Sequence, residues 1–183
     1  MCIKLCKSLR VKTKDGKIIT LRRPKMSDVK QLLEFINSLV EENAQILVNK
    51  RMTLKAEKEW LKEELKSIRK NKLHCFVAVH KGEIVGVVEL KKGKWRESHI
   101  AEYAISVKKG YRKVGLATVM SKAILNIGRK DKEIKLIYLR VFHTNKVALN
   151  LYKKLGFKKV ARLKKRVKYK GRYIDEIVMD FKK

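Results

Sequence analysis

A short run in the middle of the chain has the residue types of an anion-binding loop. It reads Arg112-Lys113-Val114-Gly115-Leu116-Ala117 and stands between a strand-like segment and a helix-like segment. Small residues at such a junction let the backbone turn so that several N–H groups point to one place, and the N-terminus of the following helix adds partial positive charge. The same run also fits an ordinary strand-to-helix turn with a glycine, so it does not identify a ligand by itself.

A second run whose residue types could take part in chemistry covers residues 145–157, after one intervening strand. It reads N-K-V-A-L-N-L-Y-K-K-L-G-F, and Tyr152 shares a helical stripe with Ala148 and Leu155. By itself, the run also fits a tyrosine that only packs in the core and whose hydroxyl is bonded locally. Gly156 suits the left-handed position that ends a helix.

Hydrophobic periodicity predicts the elements that must position these two runs. Helices are predicted to start near Ser27, which is a suitable N-cap, and to cover residues 53–70, 116–127 and 145–155. Strands are predicted over residues 8–13, 17–22, 73–79, 84–90, 99–107, 135–142, 157–169 and 172–181. In the first helix the pattern turns these residues inward: Val29, Leu32, Leu33, Ile36 and Val40. The order of elements predicts one α/β domain in which helices cover the faces of a mixed sheet.

The two runs together resemble the GNAT superfamily of acetyl-CoA-dependent N-acetyltransferases. The loop with its flanks reads I-S-V-K-K-G-Y-R-K-V-G-L-A, and N-x-x-A-x-x-L-Y-x-x-x-G-F follows it at the spacing of that family. The combination is much more specific than either half, and the flanking elements match the family from about residue 17 to residue 181.

The resemblance implies the GNAT fold, of the α/β (α+β mixed) class. We expect a single domain over residues 1–183, in which residues 1–16 form a basic extension that can include a strand. In this fold a mixed, mostly antiparallel sheet of about seven strands is flanked by about four helices and splays between strands 4 and 5.

The resemblance also assigns residues to the cofactor. The backbone amides of residues 112–117 would hold the diphosphate of acetyl-CoA, and the backbone of Ile105, Ser106 and Val107 would pair with the pantetheine arm. Asn145 matches the family's asparagine at the start of the second run, which borders the cofactor. Neither a metal nor a covalently bound cofactor is implied.

This chain departs from the family at one place in the loop. Many members have glycine beside the loop's first basic residue, whereas here Lys113 and Val114 follow Arg112. Gly115 and Ala117 do occupy the family's small positions. The bulk of Lys113 and Val114 therefore puts the affinity for the cofactor in question.

Acetyl transfer to an amine sets requirements that this sequence can meet. An alkyl amine is mostly protonated near pH 7, so a base must take a proton from it, directly or through water. A backbone N–H on the splayed strand can stabilise the oxyanion that forms. The leaving thiolate needs an acid or a hydrogen bond, and Tyr152 matches the family's tyrosine that often supplies it.

Glu102 is the candidate base. Alternation along its strand places it on the same face as Ala104 and Ser106. The stretch from Glu102 to Val107 is similar to the E-x-x-x-x-V pattern of phosphinothricin-type members of the superfamily, which acetylate small amino acids. A strand glutamate paired with lysine on a solvent face is the alternative. Glu42, at the end of the first helix, could also hold a substrate ammonium, or could simply be solvated.

Charge is the strongest feature of the composition. The 183 residues include 48 Lys+Arg against 18 Asp+Glu, which gives a formal net charge of +30. Basic residues crowd the predicted terminal hairpin: Lys158, Lys159, Arg162, Lys164, Lys165, Arg166, Lys168, Lys170 and Arg172. This charge favours an acceptor that is acidic near its amine, or association with nucleic acid or the ribosome. An edge hairpin protected from aggregation by lysine accounts for the same residues.

Cysteine usage and hydropathy limit the class of protein. Cys2, Cys6 and Cys75 are odd in number and lack the paired spacing of a zinc site, and Cys75 lies in an apolar run typical of a buried thiol. There is no apolar run of about 18 residues for a membrane span, and no apolar segment of the secretory kind follows the basic N-terminus. We therefore expect a cytoplasmic protein that does not enter a membrane.

The sequence thus predicts an N-acetyltransferase that acts by direct attack in a ternary complex. The expected acceptor is a primary amine of a small amino-acid-like molecule or of a protein N-terminus. The alternative is a catalytically silent GNAT domain that associates with nucleic acid or the ribosome, or that senses acetyl-CoA. Family members are often dimers, so the resemblance also implies a homodimer.

Overall fold

The computed structural model describes residues 8–182, which form an eight-stranded sheet and four α-helices. The predicted Cys2 and Cys6 thiols lie outside the described residues. The strands are β1 (Ser8–Lys12), β2 (Ile18–Arg22), β3 (Leu73–His80), β4 (Glu83–Lys92), β5 (Ile100–Val107), β6 (Leu136–Phe142), β7 (Lys158–Tyr169) and β8 (Arg172–Lys182). The helices are α1 (Val29–Glu41), α2 (Leu54–Arg69), α3 (Leu116–Lys130) and α4 (Lys146–Leu155).

The strands lie in the order β1-β2-β3-β4-β5-β6-β8-β7, which is a mixed sheet of the kind that the resemblance implies. Every neighbouring pair is antiparallel except β5 and β6, which are parallel. Strand β1 is an addition at one edge, formed by the predicted hairpin around Asp15 and Gly16. Counted from β2, the remaining seven strands diverge between the fourth and the fifth, which are β5 and β6, as the resemblance implied.

Two hydrophobic clusters hold the helices on opposite faces of the sheet. The larger cluster joins α3 and α4 to one face, with Met120, Ile124 and Ile137 completely buried in it. The smaller cluster joins α1 and α2 to the other face through Leu32, Phe35 and Leu61. Burial of such side chains contributes about 1.5–3 kcal/mol each, so these clusters fix where each helix lies.

The start and the inner face of α1 differ from the sequence prediction. Ser27 lies inside a single 3₁₀ turn, Met26–Asp28, and Asp28 is the residue that precedes the helix. Arg22 binds the Asp28 carboxylate with two hydrogen bonds, of 2.7 and 2.8 Å. The buried residues of α1 include Phe35 and Leu39, which the predicted stripe omitted. Apolar residues cover more than half of this helix, so periodicity alone did not select the buried side.

Helix α3 approaches the sheet unusually closely. A Cβ atom added at Gly128 would lie 2.8 Å from the side chains of both Leu90 and Ile137. Glycine therefore allows the close packing of this helix, and the packing sets the position of its N-terminus beside the end of β5.

Candidate active site

The parallel strands β5 and β6 are joined only at their beginnings. Their paired residues end at Glu102, opposite Tyr138, and the rest of β5 up to Val107 has no strand partner on that side within the described residues. On its other side β5 is paired with β4 along its whole length. The result is a V-shaped opening in the sheet, with Ala104 exposed in the middle of β5. Exposure of a mid-sheet residue means that no helix covers the face at that point.

The loop between β5 and α3 presents a cluster of unpaired backbone donors. None of the N–H groups from Arg112 to Thr118 is bonded to a protein acceptor among the described residues. Lys113 and Gly115 both have left-handed backbones, with φ of 63° and 85°. Two left-handed residues separated by one other turn consecutive N–H groups inward, and the N-terminus of α3 adds partial positive charge. The loop therefore gathers unbonded N–H groups and a helix N-terminus at one place, as an anion-binding loop would require.

The N-terminal hairpin supports this loop from outside. The Lys14 amide donates a 3.0 Å hydrogen bond to the carbonyl oxygen of Val114. The Lys14 side chain lies over Gly115, where an added Cβ atom would be 3.7 Å from it. The hairpin therefore brings an additional ammonium group to the rim of this loop, a contribution that the sequence pattern did not indicate.

Arg112 braces the loop instead of facing into it. Its Nε atom donates a 2.7 Å hydrogen bond to the carbonyl of Val107, at the end of β5. Its guanidinium group binds the carboxylate of Glu42, at the end of α1. Glu42 was expected to be solvated or to hold a substrate ammonium; instead it is tied to the cofactor loop. Arg112 thus links the loop, the splayed strand and the segment that follows α1.

The remaining residues that were predicted to bind the cofactor have structural contacts within the chain. Leu116 begins α3 and its side chain is buried in the core, while the Ala117 carbonyl accepts a 2.6 Å hydrogen bond from Ser121. Asn145 is the N-cap of α4, where its side-chain oxygen accepts a hydrogen bond from the Ala148 amide. This cap fixes the start of the helix that carries Tyr152.

Tyr152 is buried in the larger hydrophobic cluster, with its ring among other aromatic rings. It makes edge contacts with Tyr103 and Phe157, with ring centroids 5.8 and 5.9 Å apart. Within residues 8–182 its hydroxyl has no hydrogen-bond partner, in contrast to the Tyr103 hydroxyl, which bonds Ser121 at 2.6 Å. Burial raises the pKa of Tyr152 to about 12, so its proton stays in place at neutral pH. A protonated, unbonded phenol is suited to donate to a leaving group.

Glu102 lies at the vertex of the V, on the same face as Ala104. One carboxylate oxygen accepts a 3.0 Å hydrogen bond from Nε of Arg140, on β6, and forms an ion pair with Nη2 of the same side chain at 3.0 Å. Desolvation, and next the Glu102 carboxylate, raise the pKa of the neighbouring Tyr138 phenol. The structure thus brings Glu102 to the site, but pairs it with an arginine and not with a lysine.

Glu89 is a further carboxylate on this face, and the sequence prediction missed it. It lies on β4 directly opposite Ala104, the exposed residue of the splayed strand. Burial, followed by the charge of Glu64, raises the pKa of Glu89 to about 7. A polar residue at an inward position of an otherwise apolar strand was the signal that could have identified it.

The face around the opening is acidic although the whole chain is strongly basic. Strand registers and alternation place the following side chains on it: Glu89, Glu102, Glu176 and Asp180, with Lys91, Tyr138, Arg140 and, toward the edge of the sheet, Lys158 among them. Glu64 reaches the same region from α2. Such a face attracts an ammonium group, so the structure favours a cationic acceptor amine near the opening.

Two surface segments meet above the opening. The Tyr169 hydroxyl, at the tip of the β7–β8 hairpin, donates a 2.7 Å hydrogen bond to the carbonyl of Asn43, just after α1. Thr144, next to the start of α4, bonds Gln45 at 3.0 Å. Residues 42–53, which connect α1 and α2, are thereby held across the site and carry the exposed side chain of Leu47.

The basic hairpin contains one internal neutralising group. Asp175 accepts a hydrogen bond from the Lys165 amide and another from Arg162, and these contacts lower its pKa to about 2. The other basic side chains of β7 point to solvent along the edge of the sheet.

Residues 8–182 contain no group of three His, Cys, Asp or Glu side chains that could hold a metal ion. None of the described helices is long and apolar enough to cross a membrane.

Comparison with known sequences agrees with this geometry. A family model described as "Acetyltransferase (GNAT) domain" matches residues 21–178. An N-alpha-acetyltransferase of Sulfurisphaera tokodaii is 29% identical over 82% of this chain and 87% of its own. That of Saccharolobus solfataricus is 30% identical over 81% and 86%, respectively. L-amino acid N-acetyltransferase AaaT of Escherichia coli is 29% identical over 57% of this chain and 65% of its own.

Solved structures share the fold. A ribosomal-protein-S5-alanine acetyltransferase of Vibrio fischeri superposes with a TM-score of 0.82 at 19% identity, covering 96% of both chains. A putative acetyltransferase of Salmonella typhimurium, solved with its cofactor acetyl-CoA, superposes with a TM-score of 0.76 at 18% identity, covering 90% of this chain and 93% of its own. At these identities the likeness concerns the fold alone.

Proposed function

This chain belongs to the GNAT family of N-acetyltransferases, and we propose that it transfers an acetyl group from acetyl-CoA to the α-amine at the N-terminus of a protein or peptide. The observation that carries the acceptor side is the acidic face around Ala104, which is exposed although the α1–α2 connection and the β7–β8 hairpin are bonded to each other above the opening. The relatives named N-alpha-acetyltransferase support the same class of acceptor.

The loop at residues 112–118 has the hydrogen-bond donors and the positive charge that would suit the diphosphate of the cofactor. The unbonded amides of residues 112–118, the left-handed Lys113 and Gly115, and the ammonium group of Lys14 form a positive rim with donors inside it. The free edge of β5, including Ile105, Ser106 and Val107, can pair with an extended arm. When bound there, acetyl-CoA supplies the activated acetyl group; the protein supplies position, proton transfer and exclusion of water.

Different side chains accept and donate the protons of the reaction. A carboxylate on the acidic face must take a proton from the acceptor ammonium, and Glu102 is the residue that the sequence identifies for this role. Tyr152, which keeps its proton at neutral pH, donates to the leaving sulfur. The backbone N–H groups of the unpaired part of β5 are available to the acetyl oxygen.

A panel of acceptors tests the proposed function. Release of CoA thiol is measured with peptides that have a free α-amine, with the same peptides N-terminally blocked but containing lysine, and with free amino acids. We expect turnover with the free α-amine peptides and at least tenfold lower kcat/KM for the blocked ones. Equal turnover of blocked and free peptides would contradict α-amine selectivity.

The role of Tyr152 has a matched control in the chain. Replacing Tyr152 by Phe removes a hydroxyl that bonds no described residue, so we expect kcat to fall about 100-fold with little change in stability. Tyr103→Phe removes the hydroxyl bonded to Ser121, and should cost about 1 kcal/mol of unfolding free energy with little change in kcat. Steady-state kinetics and thermal unfolding of both variants separate the two effects. Unchanged kcat in Tyr152→Phe would remove the tyrosine from the mechanism.

A small amino acid is the second candidate acceptor. The similarity to L-amino acid N-acetyltransferase AaaT favours it, as does the likeness of residues 102–107 to the phosphinothricin-type pattern. Both candidates present an α-amine, but a free amino acid carries a carboxylate where a peptide chain continues. Higher kcat/KM for a free amino acid than for any peptide in the panel would select this alternative.

A further inference from the structure

Glu89 differs from the two carboxylates nearest to it on this face, Glu64 and Glu102, in having no partner. It makes no hydrogen bond and no ion pair with any described residue, whereas Glu102 accepts a hydrogen bond from Nε of Arg140 and forms an ion pair with its Nη2. It is half-buried, and its neighbour across the β4–β5 ladder is the exposed Ala104. Directly opposed side chains of such a ladder lie about 5 Å apart at Cβ, so a group resting over Ala104 is within reach of the Glu89 carboxyl.

A second carboxylate stands behind Glu89. Glu64, on α2, is buried, and its Oε1 atom accepts a 2.8 Å hydrogen bond from Lys91. Its Oε2 atom is completely buried and has no hydrogen-bond partner. A buried oxygen without a donor is costly, so a nearby proton on Glu89 would be stabilised by this arrangement.

The other groups around Glu89 either stay neutral or have opposite effects on its pKa. From β3, Cys75 faces it across the ladder, and burial raises the pKa of that thiol well above its usual value, so it stays neutral. From β5, the Glu102 charge raises the pKa of Glu89, whereas Lys91 on its own strand lowers it. Helix α1 contributes apolar side chains to this side of the sheet.

From this geometry we infer that Glu89 accepts the proton of the acceptor's α-ammonium group, with Glu64 as the positioning residue behind it. The inference rests on the proposed function. An ammonium that becomes an amide loses two protons as the C–N bond forms and the C–S bond breaks. One passes to the Glu89 carboxylate and then to water, and the other reaches the leaving sulfur by way of Tyr152. Glu102 remains paired with Arg140 and contributes its charge.

The choice of acceptor follows from matched proton affinities. An α-amino group has a pKa of about 7.7–8.0, within about one unit of the value near 7 for Glu89. Proton transfer between them is therefore nearly balanced. A lysine side chain, with a pKa of about 10.4, lies about 2.5 pKa units above an α-amine, so the same base removes its proton much less readily.

The test is the pH dependence of kcat/KM for a free α-amine peptide, compared between the unsubstituted enzyme and its variants. The unsubstituted enzyme should lose activity below an apparent pKa near 7, in addition to the ionisation of the amine itself. Glu89→Gln should abolish this acidic limb and lower kcat by about 100-fold or more, with an unchanged Kd for acetyl-CoA and a similar thermal midpoint. Glu102→Gln should retain the limb.

Two further variants should shift the apparent pKa of the acidic limb while Glu89 itself is kept. Glu64→Gln takes away a negative charge, so the limb should shift to lower pH. Lys91→Met removes a positive charge near Glu89 and releases Glu64, so the limb should shift to higher pH. Glu63→Gln, an exposed neighbour on the same helix, is the matched control and should shift nothing. These opposite shifts would not arise from a purely structural role, and they do not depend on the stability of Glu89→Gln.

The outcomes separate the inference from the function on which it rests. If the limb survives in Glu89→Gln with kcat within about threefold of the unsubstituted enzyme, the role of Glu89 is wrong and the acetyltransferase stands. Loss of the limb in Glu102→Gln alone would give the role to Glu102. Absence of turnover with every α-amine in the unsubstituted enzyme would overturn both.

Discussion

At the scale of single residues, the loop at residues 112–117 has an unusual backbone conformation at Lys113. Lys113 has a φ of 63°, a conformation in which glycine is favoured and most other residues are strained. This is the position beside Arg112 at which many family members have glycine. The departure noted in the sequence therefore keeps the shape of the loop, at a cost in stability and not in geometry.

Substitution of Lys113 separates backbone strain from charge. Lys113→Gly should raise the free energy of unfolding by about 1 kcal/mol relative to Lys113→Ala, because both lack the ammonium group but only glycine is unstrained at this φ. For a chain of this size, that difference corresponds to roughly 2–4 °C in thermal midpoint. Thermal unfolding of the two variants is the measurement, and equal midpoints would show that the strain is negligible.

The same pair of variants also reports on the cofactor. Both lose the Lys113 charge at the rim of the loop, so both should bind acetyl-CoA less tightly than the unsubstituted protein. Titration of acetyl-CoA gives this comparison directly. A loss of affinity in Lys113→Ala that Lys113→Gly does not share would mean that backbone shape dominates the binding.

At the scale of elements, a buried polar cluster fixes the end of the sheet opposite the active site. Lys92 on β4 has a side chain that is only 1% exposed, and its ammonium lies 2.6 Å from Asp131, just after α3. His74 on β3 bonds the same carboxylate at 3.0 Å, and Glu133 bonds Lys92 at 2.7 Å. The cluster thereby joins two strands to the helix whose other end belongs to the proposed anion-binding loop.

Asp131→Asn should destabilise the protein in a pH-dependent way. Burial alone would raise the pKa of Asp131, but Lys92 and His74 outweigh it and lower the pKa to about 2. Because the folded-state pKa is lower than the unfolded value of about 3.9, this stabilisation is present above about pH 4 and is lost as pH falls toward 2. We expect a loss of about 2 kcal/mol at pH 7, since a buried lysine loses its main partner.

Urea unfolding at several pH values checks this prediction. The difference between the unsubstituted protein and Asp131→Asn should shrink between pH 4 and pH 2. Glu133→Gln is the control, because Glu133 bonds the same lysine but its side chain is 66% exposed, and it should cost less than about 1 kcal/mol. An effect of Asp131→Asn that is the same at pH 7 and pH 2.5 would contradict the electrostatic explanation.

At the scale of the whole molecule, the net charge of +30 and the acidic face have different consequences. The net charge produces a long-range positive field, strongest along the β7 edge, while the acidic side chains act locally at the opening. Association with nucleic acid or the ribosome stays a prediction that this field supports. The hypothesis of an acceptor that is acidic near its amine is less consistent with the local charge than a cationic amine is.

Salt should stabilise this protein. Mutual repulsion among basic side chains disfavours the compact state, and raising ionic strength from about 0.02 M to 0.3 M shortens the Debye length to less than 10 Å. We therefore expect the thermal midpoint to rise by several degrees over this range of sodium chloride. A falling midpoint would indicate that ion pairs, such as that of Arg140 with Glu102, outweigh the repulsion.

Much of this molecule was determined by its sequence alone. Element order follows from local periodicity and from turn residues, and the predicted strands and helices agree with the structure within one or two residues at most ends. Thr53 lies at the start of α2 and Gly156 at the end of α4, as predicted, since capping depends on the residue itself. An anion-binding loop at residues 112–117 could be proposed from the sequence because its glycine and the helix after it are adjacent along the chain.

The tertiary structure decided what depends on strands distant in the chain. Glu89 meets Ala104 because β4 pairs with β5, Glu64 reaches them from α2, and Arg140 comes to Glu102 only through the parallel pairing of β6. The bracing of Arg112 by Glu42 and of Val114 by Lys14 likewise joins segments far apart in sequence. Proton affinity depends on such neighbours and on burial, so which carboxylate serves as the base was not readable from spacing along the chain.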